Sequence, residues 1–255
     1  GAAPAERPLH TESPYVPEPQ QGRREPMSPM RQAIARHMVE SRRTSAHCTT
    51  VTEVDLGAVV SARAGLRDEM AARGVALTYL AFVAEATVAA LRRHPILNSS
   101  IEGDEIVHHD DVNLGIAVAL ETGLIVPVIE RAQRLSLEGL AAAIEDLAAR
   151  ARAGELSPDE VSGGTFTITN PGRFGSVLAT PIINQPEVAI LDLEAVVKRP
   201  VVVEGRGDDG SGDAIAIRPM TNLCMSWDHR ALDGIEAARF LGEIKGSLEA
   251  WGARR

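Results

Sequence analysis

Asp228-His229-Arg230-Ala231-Leu232-Asp233-Gly234 stands between an apolar run, Leu223-Cys224-Met225-Ser226-Trp227, and a C-terminal stretch with helical apolar spacing. The run reads as a strand and the stretch as a helix over 234–250, so the heptapeptide is a tight strand-to-helix turn. Turns of this kind hold reactive side chains on a rigid frame. Histidine changes charge near neutral pH, so His229 is a candidate general base for a nucleophile. A base needs a fixed ring orientation. Asp228 and Asp233 are both placed to supply it, and spacing alone leaves open which orients the ring and which braces the turn. Gly234 is read as a backbone geometry closed to other residues.

Upstream, Gly163-Gly164-Thr165-Phe166-Thr167-Ile168-Thr169-Asn170-Pro171-Gly172 alternates like a strand and then breaks sharply. A threonine hydroxyl at that break, Thr169, is placed to donate to an oxyanion. Plain β-propensity followed by a turn explains the same pattern. Arg31 is a third candidate: a guanidinium that clamps a carboxylate, with Asp233 as its partner, or an ordinary surface arginine.

Further outward, Ser28 caps a helix that opens with Pro29. A strand follows over 48–56, then helices over 57–73 and 77–93, ended by Gly74 and before Pro95. A hairpin covers 97–107. Strands are expected at 112–120 and 124–129, an amphipathic helix at 136–152, and strands at 165–170, 187–197, 200–204 and 214–226. Strands and helices mix without strict alternation, so the fold class is α+β. Residues 1–26 hold six prolines and no apolar period, and read as a flexible Pro-rich linker. Residues 27–255 read as one domain.

The 255 residues are 44% hydrophobic but only 3% aromatic, so the core is aliphatic. A net charge of −9 speaks against a nucleic-acid partner. No apolar run reaches membrane-spanning length. Two cysteines, Cys48 and Cys224, read as buried free thiols, and a reducing cytoplasm is the expected location. Among the other histidines, His108 and His109 sit beside Asp110 and Asp111. Neighbours on a strand point to opposite faces, so no metal site is expected there.

These residues resemble the dihydrolipoyl acyltransferases, the core components of 2-oxo acid dehydrogenase complexes. The heptapeptide is similar to that family's active-site signature. Further matches fall in the same order: Met30-Arg31-Gln32-Ala33-Ile34-Ala35, Pro95-Ile96-Leu97-Asn98, Gly123-Leu124-Ile125-Val126-Pro127-Val128, the 164–170 strand, Thr180-Pro181-Ile182-Ile183-Asn184 and Pro186-Glu187-Val188-Ala189-Ile190-Leu191. The resemblance covers about residues 27 to 250 and implies a chloramphenicol-acetyltransferase-like fold. It implies acyl transfer between dihydrolipoyl-lysine and coenzyme A, with His229 as base, Thr169 as oxyanion donor, and Asp233 as a supporting carboxylate held through an arginine such as Arg31. Arg67, Thr78 and Asn170 match coenzyme A contacts. The resemblance also implies a homotrimer that builds a larger core, with His229 and Thr169 supplied by neighbouring chains. The implied partners are a lipoyl domain carried outside this chain and the peripheral dehydrogenase components.

Two departures stand out. Asp192-Leu193-Glu194 follows Ile190-Leu191 where relatives commonly continue with glycine and another small residue, and Trp227 replaces the usual Tyr or Phe. The stretch Phe174-Gly175-Ser176 with Ala179-Thr180-Pro181-Ile182 leans towards succinyl-transferring relatives; acetyl and branched-chain acyl groups stay open. The alternatives are a small-molecule O- or N-acetyltransferase of the same fold, and a catalytically silent scaffold supported only by Asp192 and Glu194.

Overall fold

A computed structural model describes residues 22–121, 123–205 and 212–252. Most of the expected N-terminal linker lies outside these residues; 22–28 carries no regular element. The elements are α1 (Pro29–Thr44), β1 (His47–Asp55), α2 (Gly57–Ala72), α3 (Tyr79–Leu91), β2 (Ser99–Glu102), β3 (Glu105–His108), β4 (Leu114–Ile116), β5 (Val118–Ala119), β6 (Leu124–Ile125) and β7 (Val128–Ile129). They continue with α4 (Leu137–Ala153), β8 (Phe166–Thr169), β9 (Ala189–Leu193), β10 (Val197–Val203), β11 (Ala214–Asp228) and α5 (Gly234–Glu249).

Local chemistry sets the helix ends. The Ser28 hydroxyl accepts the Arg31 N–H, Pro29 takes the first turn of α1, and Arg42 and Arg43 lie in its last turn, where cations favour the exposed carbonyls. Ser136 caps α4 in the same way, and Gly154 ends it with φ of 73°.

Seven strands form a mixed sheet in the order β1-β11-β9-β8-β4-β7, with β10 added on β11. β4, β8 and β9 run parallel; the other pairs are antiparallel. With its flanking helices this is the expected α+β class. The register separates two faces. Phe166, Ile168, Leu191, Leu193, Leu223, Met225 and Trp227 are buried on one, where Phe240 of α5 meets Phe166 at a ring separation of 5.8 Å. Truncating this aromatic centre, as in Phe166→Ala, is expected to cost about 3–5 kcal/mol in a denaturant titration.

The other face is polar. Thr167, Thr169, Asp192, Cys224 and Ser226 share it by register, and Glu194, just past β9, reaches Cys224 on the same side. It is roofed by the segment 171–186, which is tied down from several sides. Ala195 N–H donates to Ser176 O and Asn222 Nδ2 to Val177 O, both at 2.8 Å, and Ser41 Oγ donates to Ile183 O at 2.5 Å. Gly172 is where this roof touches the sheet: a Cβ there would overlap the backbone of Glu194 and Ala195. Gly172→Ala is expected to lift the segment and cost about 1–3 kcal/mol, read as a lower melting temperature with faster proteolysis inside 171–186.

Three boundaries differ from the sequence reading. The strand expected at 112–120 divides because β4 stays in the large sheet while β5 leaves it to pair with β6. Pro200 interrupts nothing: β10 runs through it, since it pairs only with β11 and an edge strand tolerates a missing N–H. The expected strand at 187–197 ends at Leu193. Cys224 is buried and Cys48 half-buried, both as free thiols. Among the described residues no helix is long and apolar enough to cross a membrane.

Candidate active site

The His229 turn is built on a buried carboxylate. Asp228 is 1% exposed at the end of β11. Its Oδ1 accepts the backbone N–H of Ala46 at 3.1 Å and of Arg230 at 3.0 Å, and the Arg230 guanidinium binds it bidentately, with Nη2 at 2.7 Å from Oδ2. Burial by itself pushes this carboxyl up, but the Arg230 guanidinium and the amide donors outweigh it and hold Asp228 below the usual carboxylate range. His229 N–H donates to Ala46 O at 2.9 Å, so the first two residues of the turn are pinned to the α1–β1 connection.

The imidazole is half exposed, and its Nδ1 lies 3.6 Å from Asp233 Oδ1. That is an electrostatic contact, longer than a hydrogen bond. The choice between the two aspartates is thereby made: Asp228 braces the turn and Asp233 faces the ring. The Trp227 ring sits 4.9 Å from the imidazole, centroid to centroid, with its Nε1 donating to Thr50 Oγ1 at 3.0 Å. Gly234 is not needed for its backbone: it opens α5 outside the left-handed region, and a Cβ there would meet nothing within 4 Å.

Thr169 ends β8, half-buried, and Asn170 starts the short 3-10 turn that follows. Thr169 pairs in register with Asp192, and Asp192 with Cys224. His229 lies five residues beyond Cys224 along β11. At strand spacings this puts the two catalytic candidates of one chain roughly 16 Å apart along the sheet and roughly 10 Å across it. One chain therefore does not bring them together.

Arg31 is likewise distant from Asp233. It sits in the first turn of α1, whose neighbours Met30 and Ile34 pack against Gly123. The end of α1 next to the His229 turn is roughly 20 Å further along the helix. The expected Arg31–Asp233 pair is thus not made within one chain. Arg67 is exposed on α2, and Thr78 is exposed at the start of α3. One turn before Arg67, Arg63 donates to Leu77 O at 2.7 Å and lies over the Tyr79 ring, so Arg67 and Thr78 border the same α2–α3 junction. Asn170 follows Thr169 just past the end of β8. His108 is engaged with Pro95 O through Nδ1.

Two residues escaped the sequence reading as parts of the site. His47 Nε2 accepts the Ile183 N–H at 3.1 Å while its Nδ1 faces Ser45 O at 3.1 Å, which anchors the roof segment beside the turn. Glu187 is buried under the same segment and accepts from Thr167 Oγ1 at 2.7 Å and Asn184 Nδ2 at 3.3 Å. Burial pushes its carboxyl up to about 8 against these donors. The only available signal was a lone acid opening an apolar strand, which ordinary surface strands also show.

The family model for the 2-oxoacid dehydrogenases acyltransferase (catalytic domain) matches residues 19–253. The lipoamide acyltransferase component of the branched-chain alpha-keto acid dehydrogenase complex of Bacillus subtilis is 44% identical over 88% of this chain. The same organism's succinyltransferase component of the 2-oxoglutarate dehydrogenase complex is 42% identical over 88%. The acetyltransferase component of the pyruvate dehydrogenase complex of Mycobacterium bovis is 47% identical over 87%. The chain spans about half the length of these relatives: 52% of the first, 52% of the second and 40% of the third. Among solved structures, a probable dihydrolipoamide acetyltransferase of Listeria monocytogenes superimposes with a TM-score of 0.84 at 43% identity, covering 90% of this chain and 95% of that one. A chloramphenicol acetyltransferase shares the fold alone, at 13% identity and a TM-score of 0.53 over 84% of this chain and 94% of that one. With a matched signature, a matched fold and a family model that spans nearly its whole length, the chain belongs to the 2-oxoacid dehydrogenase acyltransferase family, of which it carries the catalytic domain.

Proposed function

We propose that this domain transfers an acyl group between the thiol of a dihydrolipoyl-lysine and the thiol of coenzyme A, within a 2-oxo acid dehydrogenase complex. The observation that carries the reading is His229, half exposed on a turn locked by buried Asp228, with Asp233 as the carboxylate nearest its Nδ1. His229 takes the proton of the attacking thiol, and the thiolate sulfur bonds to the carbonyl carbon of the thioester. The carbonyl oxygen takes the negative charge, to which the Thr169 hydroxyl donates. Collapse of the adduct breaks the other C–S bond, and the imidazolium returns its proton to the leaving thiolate. Asp233 stabilises that imidazolium. Arg67, Thr78 and Asn170 are assigned to coenzyme A, with the Arg67 guanidinium suited to its phosphates.

The site is assembled from two chains. Supporting this is the separation of His229 from Thr169 within one chain, together with the exposure of α1. Only Ser41 of its 16 residues is buried, too little for a helix of that length to hold itself by packing. A trimer in which each chain lends His229 to its neighbour's Thr169 satisfies both, and such trimers building a larger core fit a relative whose pyruvate dehydrogenase core is cubic. The lipoyl group arrives on a separate domain, and the peripheral dehydrogenases bind outside this domain.

For the acyl group we propose succinyl, on the stretches at 174–176 and 179–182. The test is transfer from succinyl-, acetyl- and isobutyryl-CoA to free dihydrolipoamide, with a hydroxyl acceptor run in parallel. Succinyl-CoA is expected to give the highest kcat/KM. Transfer to the hydroxyl but not to the thiol moves the chain to the small-molecule acetyltransferases, and no transfer at all leaves only a scaffold.

A further inference from the structure

Asp192 is 1% exposed on the polar face of the sheet, and its Oδ1 has no hydrogen-bond partner among the described residues. A buried polar atom without a partner is rare enough to need a reason. Its two lateral neighbours by register are Cys224 on β11 and Thr169 on β8. The Cys224 thiol is already engaged, with Glu194 Oε1 at 3.8 Å and the Ala179 backbone N–H at the sulfur. The neighbour left to Asp192 is Thr169, one strand spacing away on the same face.

We propose that Asp192 is a positioning residue for the oxyanion donor: its protonated carboxyl donates to Thr169 Oγ1, turning the threonine's own O–H towards the oxyanion. A hydroxyl that accepts one hydrogen bond becomes a better donor of the next, so the relay strengthens the Thr169 contact as well as aiming it. The environment keeps the required proton. Burial, and then the Glu194 carboxyl beside it, push Asp192 up to about 7. The groups facing it are Glu194, just past the end of its own strand, Cys224 on β11, whose thiol burial pushes up to about 11, and Thr169 on β8. Residues 176–181 of the roof contain no ionisable side chain. Once ionised, Asp192 accepts the Thr169 proton instead and sets a negative charge beside the developing oxyanion. Both effects switch the donor off.

The inference rests on Thr169 as the oxyanion donor, and the experiment separates the two claims. Using the assembled protein, kcat and KM for acyl transfer to dihydrolipoamide are measured from pH 5.5 to 9 for wild type, Asp192→Asn, Asp192→Ala, Thr169→Ala and the double variant. Wild type should lose kcat as pH rises through about 7. Asp192→Asn keeps an N–H donor and should hold kcat at pH 6.5 while losing that alkaline fall. Asp192→Ala should lower kcat roughly tenfold with KM unchanged, and should add nothing in the Thr169→Ala background. An Asp192→Asn variant that keeps the alkaline fall, or an Asp192→Ala variant with full kcat, overturns the relay. If Thr169→Ala itself retains wild-type kcat, the oxyanion assignment is what has failed. Particle mass and melting temperature of each variant separate a folding defect from a catalytic one. A loss in Asp192→Ala that tracks lost assembly and is not rescued by asparagine counts against the proposal.

Discussion

His229→Ala will lower acyl transfer by about 100- to 10,000-fold, the range that a positioned general base contributes. Thr169→Ala should produce a comparable loss, about 100- to 1,000-fold, because one oxyanion donor is removed. The informative measurement combines them. Each variant alone is inactive, but refolding an equal mixture should restore about a quarter of the wild-type rate. In a head-to-tail ring, one interface in four then joins an intact His229 to an intact Thr169. A single-chain site predicts no recovery, because every chain carries a lesion. The prediction follows from spacing: the two residues lie at opposite ends of the sheet, and the rigid β11 and β8 strands leave no loop motion that closes the gap. Dissociated chains should be inactive for the same reason, although His229 and its braces are intact in each.

Stability should fall as pH rises from about 4.5 to about 8, and Glu187→Gln should remove much of that slope. The folded carboxyl of Glu187 is raised to about 8 by burial, against 4.5 when exposed. Between these values the folded state holds a proton that the unfolded chain has released. The stabilisation is therefore complete below about pH 4.5 and is lost as pH climbs through the folded value. The shift corresponds to an upper limit on the order of 4–5 kcal/mol, and relaxation of the roof segment will reduce it. Asp192, raised to about 7, adds a slope of the same sign. Urea titrations at pH 5, 6.5 and 8 check this. A wild-type midpoint that rises across that range, or a Glu187→Gln profile as steep as wild type, contradicts the burial argument. The glutamine should retain the contact to Thr167, since its amide oxygen accepts as the carboxyl does.

Much of the fold was legible because its signals are local. Ser28-Pro29, Ser136 and Gly154 act on the nearest turn of backbone, so caps and stops could be placed from sequence, and α1 and α4 begin where they were expected. Boundaries failed where a distant strand decided the outcome. Val112 to Leu120 reads as one largely apolar run, yet β5 turns away because β6 is its partner. The break expected between strands at 187–197 and 200–204 is also misplaced, because pairing with the distant β11 carries β10 unbroken from Val197 to Val203.

The same division holds at the site. Sequence alone determined that His229 stands on a strand-to-helix turn, that Thr169 ends a strand, and that Asp228 and Asp233 are the carboxylates at hand, because each statement depends on neighbours within a few residues. Only the tertiary structure decided which aspartate serves which role. Asp228 is buried against Ala46, 182 positions away, and so braces the turn, while exposed Asp233 faces the ring. Only the register set Asp192 beside Thr169, and only the length of β11 put His229 beyond that threonine's reach. These are facts about which strands lie side by side. Cross-strand pairing joins residues far apart in the chain, and no local propensity encodes it.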